Sequence, residues 1–165
     1  MENGKIADNQ ITASSEKLNY KAVQARLRYK NRGRPFGWQP KNSRRTEWLQ
    51  VDLLDNYIVT GVATQGCLPV NPNSKLVFTV TKYQLEYSND GKVFSTNHKL
   101  YKGNTDESTV EYHTLETPIK ARYIRFRPKS WKKKICMRVE LYGNIAKGTP
   151  VNYVSLAIFF FVNYM

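Results

Sequence analysis

Acidic side chains are scarce in this sequence. Its 165 residues carry 26 Lys and Arg but only 13 Asp and Glu, a formal net charge of +13. Histidine is rarer still, limited to His98 and His113, and cysteine to Cys67 and Cys136. These shortages exclude most catalytic chemistry. There is no zinc-ligand spacing, no glycine-rich phosphate loop, and no histidine close to a nucleophile motif. The carboxylates are scattered, with no pair suited to acid/base work, so neither an enzyme nor a cofactor is expected. Two cysteines are too few for a disulfide framework and do not reveal the redox compartment. The opening Met1-Glu2-Asn3-Gly4-Lys5 lacks an apolar core of the secretory kind, and no Asn-x-Ser/Thr sequon occurs. Taken alone, these features suit a cytosolic protein. Leu156–Val162 is strongly apolar but short of the ~20 residues a membrane span needs. It reads as the start of a truncated span, as a poorly formed lipid-anchor signal, or, the reading favoured here, as sequence from an incorrect gene boundary.

What is present is basic and β-prone. Residues 17–46 hold ten cations (Lys17, Lys21, Arg26, Arg28, Lys30, Arg32, Arg34, Lys41, Arg44 and Arg45) and no Asp or Glu. Gly33, Pro35, Gly37 and Pro40 break any regular element there. Such a field favours anionic partners: phospholipid head groups, sulfated glycans, acidic proteins or nucleic acid. From Trp48 onward the pattern alternates. Leu49, Val51 and Leu53 fall on one strand face, and Trp48, Gln50 and Asp52 on the other. Tyr57–Thr64 reads as the next strand, after a short turn at Leu54-Asp55-Asn56. Further strands are predicted around Tyr83–Tyr87, within Tyr101–Tyr112, over Ala121–Arg127 and over Ile135–Tyr142. No long helical period appears, which predicts an all-β antiparallel sandwich or jelly-roll barrel of about eight strands.

Nine short runs resemble, in order, the coagulation factor V/VIII type C domain, also called the discoidin domain. They are Ile11-Thr12-Ala13-Ser14-Ser15, Ala25-Arg26-Leu27, Gly37-Trp38-Gln39-Pro40, Trp48–Leu53, Gly61–Gly66, Tyr87–Gly91, Gly103-Asn104, Ala121–Arg125 and Met137–Gly143. The resemblance covers roughly residues 4–144 and leaves the apolar tail, 145–165, outside the domain. It implies a galactose-binding-domain-like fold and a non-catalytic, extracellular adhesion or recognition module. The missing leader would then reflect an incomplete N-terminus. One departure is that members usually join first and last strands by a disulfide. Here Asn144 stands at the second of those positions and no cysteine precedes Ile11. Cys136 resembles a position that the collagen-binding members use for an additional bridge, whose partner position is Gln39 here. Two outcomes stay open: a Cys67–Cys136 bridge, or two buried free thiols.

In this family function resides in loops at one end of the barrel. Loop 1 is Glu16–Lys21, loop 2 Pro40–Arg45, and loop 3 Leu68–Val77. By resemblance to the phospholipid-binding members, Leu18, Tyr20, Leu68, Val70 and Leu76 are candidate apolar tips. Lys17, Lys21, Lys41, Arg44, Arg45 and Lys75 are candidates for a surrounding basic ring. Ordinary solvated loops are the competing reading. Loop 2 has no carboxylate to hold a C-terminal arginine, and neither histidine lies in the loops, which disfavours a neutral-sugar lectin. Collagen or an acidic protein stays open as a matrix or cell-surface partner. Lys129–Lys134 could extend the basic surface and suit sulfated glycans. Nucleic acid is a rival suggested by charge and by the interleaved Tyr29, Phe36 and Trp38, and the resemblance argues against it. Trp38 and Trp48 are expected as core anchors. Asp52, Glu140, Arg26, Arg122, Arg125 and Arg138 are expected to supply ion pairs that cross-link the sandwich.

Overall fold

The computed structural model describes residues 1–69, 71, 73–74 and 76–146. The apolar run 156–162 lies outside them, as do Val70 and Lys75. The described residues form an antiparallel β-sandwich with almost no helix. Its strands are β1 (Ile11–Ala13), β2 (Leu49–Gln65), β3 (Thr79–Ser88), β4 (Ser95–Thr96), β5 (Tyr101–Lys102), β6 (Glu111–Lys132) and β7 (Arg138–Ile145). Short 3-10 turns at Asp8–Gln10 and Ala22–Gln24 complete the list of elements. The order across the sheet is β1-β2-β6-β3-β4, with β5 on β3 and β7 on β2.

These seven strands agree with the expected number of about eight, but the predicted turn at Leu54–Asn56 does not separate two strands. β2 runs through it with a register break between Asp52 and Tyr57. Leu54 adopts a left-handed φ of 63°, and its N–H donates to Asp52 Oδ1 at 2.8 Å. The extra residues bend the strand instead of ending it, as a β-bulge does. Both halves of β2 stay paired with β6: Leu49 faces Phe126, and Thr64 faces Glu111. The first half also pairs with β1 and the second with β7, so one bent strand serves both layers.

The alternation predicted for Leu49, Val51 and Leu53 is observed: all three are buried, while Trp48, Gln50 and Asp52 are half-buried. They pack with Trp38, Tyr83, Leu85, Ile124, Phe126, Met137 and Val139 in the main core. The expected two-faced pattern of Ile135–Tyr142 is lost in its first part, where residues 135–140 are buried on both faces. The basic segment covers them: Leu27 N–H donates to Val139 O at 3.1 Å, Val139 N–H to Ala25 O at 2.7 Å, and Trp38 N–H to Met137 O at 3.1 Å. Trp38 is fully buried, and its indole N–H donates to Ser15 O at 2.8 Å.

The expected cross-links divide into two kinds. Arg122 grips Asp52 with two bonds of 2.8 and 2.9 Å, and Arg26 pairs with Asp8 at 2.6 Å. Glu140 accepts the Glu2 N–H at 2.6 Å and pairs with the Met1 amino group, so the N-terminal segment is tied to β7 without a bridge at Asn144. Arg125 makes no ion pair among the described residues. It lies between Trp48 and Phe94, 4.1 and 3.4 Å from their ring centroids, and donates to Gln50 Oε1. Arg138 departs furthest. Fully buried, it donates to the carbonyls of Gly66 (3.0 Å), Tyr29 (3.1 Å) and Glu107, with no carboxylate partner among the described residues. Burial lowers its pKa to about 10, which leaves it charged at neutral pH.

Candidate functional site: one loop-bearing end of the sandwich

The bend in β2 returns both ends of that strand to one end of the molecule. Loop 2 precedes β2 and loop 3 follows it. Ile135 N–H donates to Ser43 Oγ of loop 2 at 3.0 Å. Its neighbour Cys136 is joined by a disulfide to Cys67, with Cα atoms 5.8 Å apart. Cys67 and Phe78 exchange backbone bonds of 2.9 and 3.0 Å across the base of loop 3. Loop 1 closes on the same place: Lys17 N–H donates to Gln39 O, and Gln39 N–H to Tyr20 O.

Beneath these loops lies a small second core of Tyr20, Phe36, Cys67, Phe78 and Cys136, with Tyr29 packed against it. Satellite clusters of this sort form where long connections must bury their own apolar groups. Gly37 is required there: a Cβ would come within 2.7 Å of Cys67 Sγ and 2.8 Å of Met137 O. This cluster corrects the expectation for Tyr20, which is buried and meets Phe36 edge-on at 5.6 Å. It is a root of loop 1 and not a tip. Leu68 is also no free tip. It is half-buried, and its N–H donates to Pro35 O at 2.9 Å.

Leu18 is 82% exposed and Leu76 47% exposed. Leu18 overhangs a hollow of about 600 Å³ that Asn19, Gln24, Arg32, Arg34 and Phe36 also line. Arg34 Nη2 reaches from this hollow to Pro69 O (3.2 Å) and Asn71 O (3.4 Å), which ties loop 3 to the basic segment. The basic ring is partly neutralised. Lys21 pairs with Glu16 at 2.9 Å. Burial pushes the Glu16 carboxyl up, but the Ala22 N–H and the Lys21 ammonium outweigh it and hold it below its usual range. Lys17 is half-buried, and Lys41, Arg44 and Arg45 are exposed.

Sequence reasoning left one element of this end without a place. The turn Lys132-Lys133-Lys134, between β6 and β7, is exposed along its length. Lys132 pairs with Thr79 at the start of β3, and Lys133 has a left-handed φ of 64°. The hydrogen bond from Ile135 to Ser43 sets this turn against loop 2. Its lysine run was visible in the sequence, but its neighbour was not.

Few carboxylates reach this end. Loops 2 and 3 have none, and the Asp106 carboxylate is turned onto the N–H groups of Ser108 and Thr109. No cluster of His, Cys, Asp and Glu able to hold a metal ion occurs among the described residues.

A β-sandwich that gathers stapled loops at one end has the architecture of a recognition module. The sequence matches the F5/8 type C domain over residues 10–141. This chain belongs to that family of discoidin-type binding modules. Neuropilin-1 of Xenopus laevis is 35% identical over 149 residues, 87% of this chain and 15% of the relative. Coagulation factor VIII of Sus scrofa is 37% identical over 152 residues, again 87% of this chain but 7% of the relative. The chain thus spans a small part of each. Among solved structures, discoidin II of Dictyostelium discoideum superposes with a TM-score of 0.69 at 20% identity, covering 81% of this chain and 53% of that one. A family 32 carbohydrate-binding module from C. perfringens NanJ, in complex with galactose, gives 0.59 at 18% identity over 82% and 96%. At such identities the likeness is one of fold.

Proposed function

We propose that this domain is an extracellular, non-catalytic adhesion module that docks on anionic phospholipid surfaces through loops 1 and 3. The observation that carries this reading is Leu18, almost fully exposed and set among cations on a stapled platform. A leucine held in water by a rigid root gains by entering an apolar phase, at about 0.8 kcal/mol per buried methylene. Each cation near an anionic leaflet adds ~1 kcal/mol. Leu76 on loop 3 offers a second apolar contact, and Lys17 and Arg32 lie close enough to Leu18 in the chain or the hollow to meet head groups. The family relation to coagulation factor VIII and the neuropilins supports an extracellular setting.

The test is co-sedimentation with phosphatidylserine-containing and purely zwitterionic vesicles over a salt series. Anionic-selective binding that weakens about tenfold in Leu18→Ser is expected, from the 1.5–3 kcal/mol of burying one such side chain. Binding that ignores Leu18→Ser and Leu76→Ser, or no binding to either vesicle, overturns the reading.

A further inference from the structure

We propose that loop 2 and the β6–β7 turn form a second binding surface at this end, a cationic strip that takes a sulfated glycan chain. The strip is distinct from the leucine tips. Its members are Lys41, Arg44 and Arg45 on one side and Lys132, Lys133 and Lys134 on the other, all exposed. None of these six side chains has a carboxylate partner among the described residues. Residues 117–139 contain no Asp or Glu at all, and the two carboxylates beside loop 2 are buried and engaged, Glu86 by Arg127 and Glu47 by the Ser14 and Ser15 hydroxyls.

The two sides are held together. Arg44 and Lys134 each stand one residue from the Ser43–Ile135 hydrogen bond. Arg127 reinforces the join by pairing with Glu86 at 2.6 Å while its Nε approaches Arg45 O at 3.5 Å. Cys136, two residues beyond Lys134, is fixed by its bridge to Cys67. The cations are therefore presented on ordered backbone, and binding would order little beyond their own side chains.

Chemistry selects the partner. A lipid surface would reward apolar tips, and loop 2 and the turn expose none. Single-stranded nucleic acid would need open aromatic faces for stacking. The rings of Trp48 and Phe94 both lie against Arg125, and Trp131 is half-buried. What remains is four strongly hydrated lysine ammoniums and two planar guanidiniums that match tetrahedral oxyanions, suited to a polymer of fixed, permanently ionised groups and no hydrophobic demand. Sulfate esters along a glycan have that chemistry.

The experiment measures affinity for a heparin-derived oligosaccharide, its desulfated counterpart and a single-stranded oligonucleotide of equal charge, at about 0.15 M salt. Variants are Lys132→Ser/Lys133→Asn/Lys134→Ser, with Asn chosen because it tolerates the left-handed backbone, and separately Arg44→Ser/Arg45→Ser. Thermal unfolding confirms that each folds. Each set is expected to weaken the sulfated oligosaccharide about tenfold or more, on ~1 kcal/mol per cation, and the lysine set, which lies outside the ring proposed for phospholipid, should leave vesicle binding within about threefold. Leu18→Ser/Leu76→Ser should do the reverse. Unchanged oligosaccharide affinity in both charge sets, equal binding of the desulfated chain or the oligonucleotide, or joint loss of both ligands in every variant would overturn the proposal. Loss of vesicle binding in the unmodified domain with the glycan retained would sink only the phospholipid reading.

Discussion

Both ends of the sandwich expose a leucine beside a hollow, yet the two ends differ in charge and in footing. At the bend of β2, Leu54 is 62% exposed and borders a hollow of about 730 Å³. At the other end Leu18 overhangs a hollow of similar size. The larger hollow is lined by Glu2, Asp55 and Glu140, with Lys5 and the Met1 amino group as cations, whereas the smaller is lined by Arg32 and Arg34 and, among the described residues, no carboxylate. The ends also differ in footing. Leu54 sits on a bulge of the main sheet, while Leu18 stands on a separate core closed by a disulfide. An exposed leucine or a hollow is therefore uninformative alone, and the charge around it and the anchoring beneath it make the distinction.

Removing the footing should have the largest effect. The Cys67–Cys136 bridge closes a separation of 69 residues, and chain-entropy reasoning assigns such a loop about 4 kcal/mol. Cys67→Ala/Cys136→Ala should lower unfolding free energy by an amount of that order in denaturant titration. In hydrogen exchange, amides at Cys67 and Phe78 should lose protection before those of β3 or β6. Equal loss in all strands would mean that the loop end has no separate core. Next in size is the contrast between leucines: Leu18→Ser should weaken binding to anionic vesicles about tenfold, and Leu54→Ser should leave it unchanged. A comparable loss from Leu54→Ser would erase the distinction drawn here.

Smaller effects should follow acid. The Arg122 guanidinium holds the Asp52 carboxyl below its usual range. The N–H groups of Lys92 and Val93, with the Ser88 hydroxyl, bring Asp90 down to about 2. Because these native carboxyls stay ionised where the unfolded chain already binds protons, their contribution is complete above pH ~4 and lost as pH falls toward ~2. Stability measured across that window should decline, and Asp52→Asn should flatten the decline. Vesicle binding through cations should be insensitive to the same carboxyls until the fold itself gives way.

Much of the framework was legible because it is local. Period-two alternation placed Leu49, Val51 and Leu53 inward, and the ordered runs from Ile11 to Gly143 carried the family. The misreadings were tertiary. Leu54-Asp55-Asn56 has the composition of a turn, and only its pairing on both sides with β6 makes it a bend. Tyr20 looks like a loop aromatic until Phe36, sixteen residues on, covers it. Arg138 invites a carboxylate partner, but three carbonyls from distant segments converge on it instead. The lysine turn was conspicuous as a string of charge, while its place against Ser43 depended on where β6 ends.

The covalent staple has a mechanical meaning. If a ligand held loop 3 under tension, the pull would first reach the two backbone bonds between Cys67 and Phe78. Behind them the load passes through a sulfur–sulfur bond to Cys136 and into β7. Tension is thereby shared between β2 and β7 instead of peeling one strand from its end. Under traction the contact with the ligand should yield before the loop that makes it.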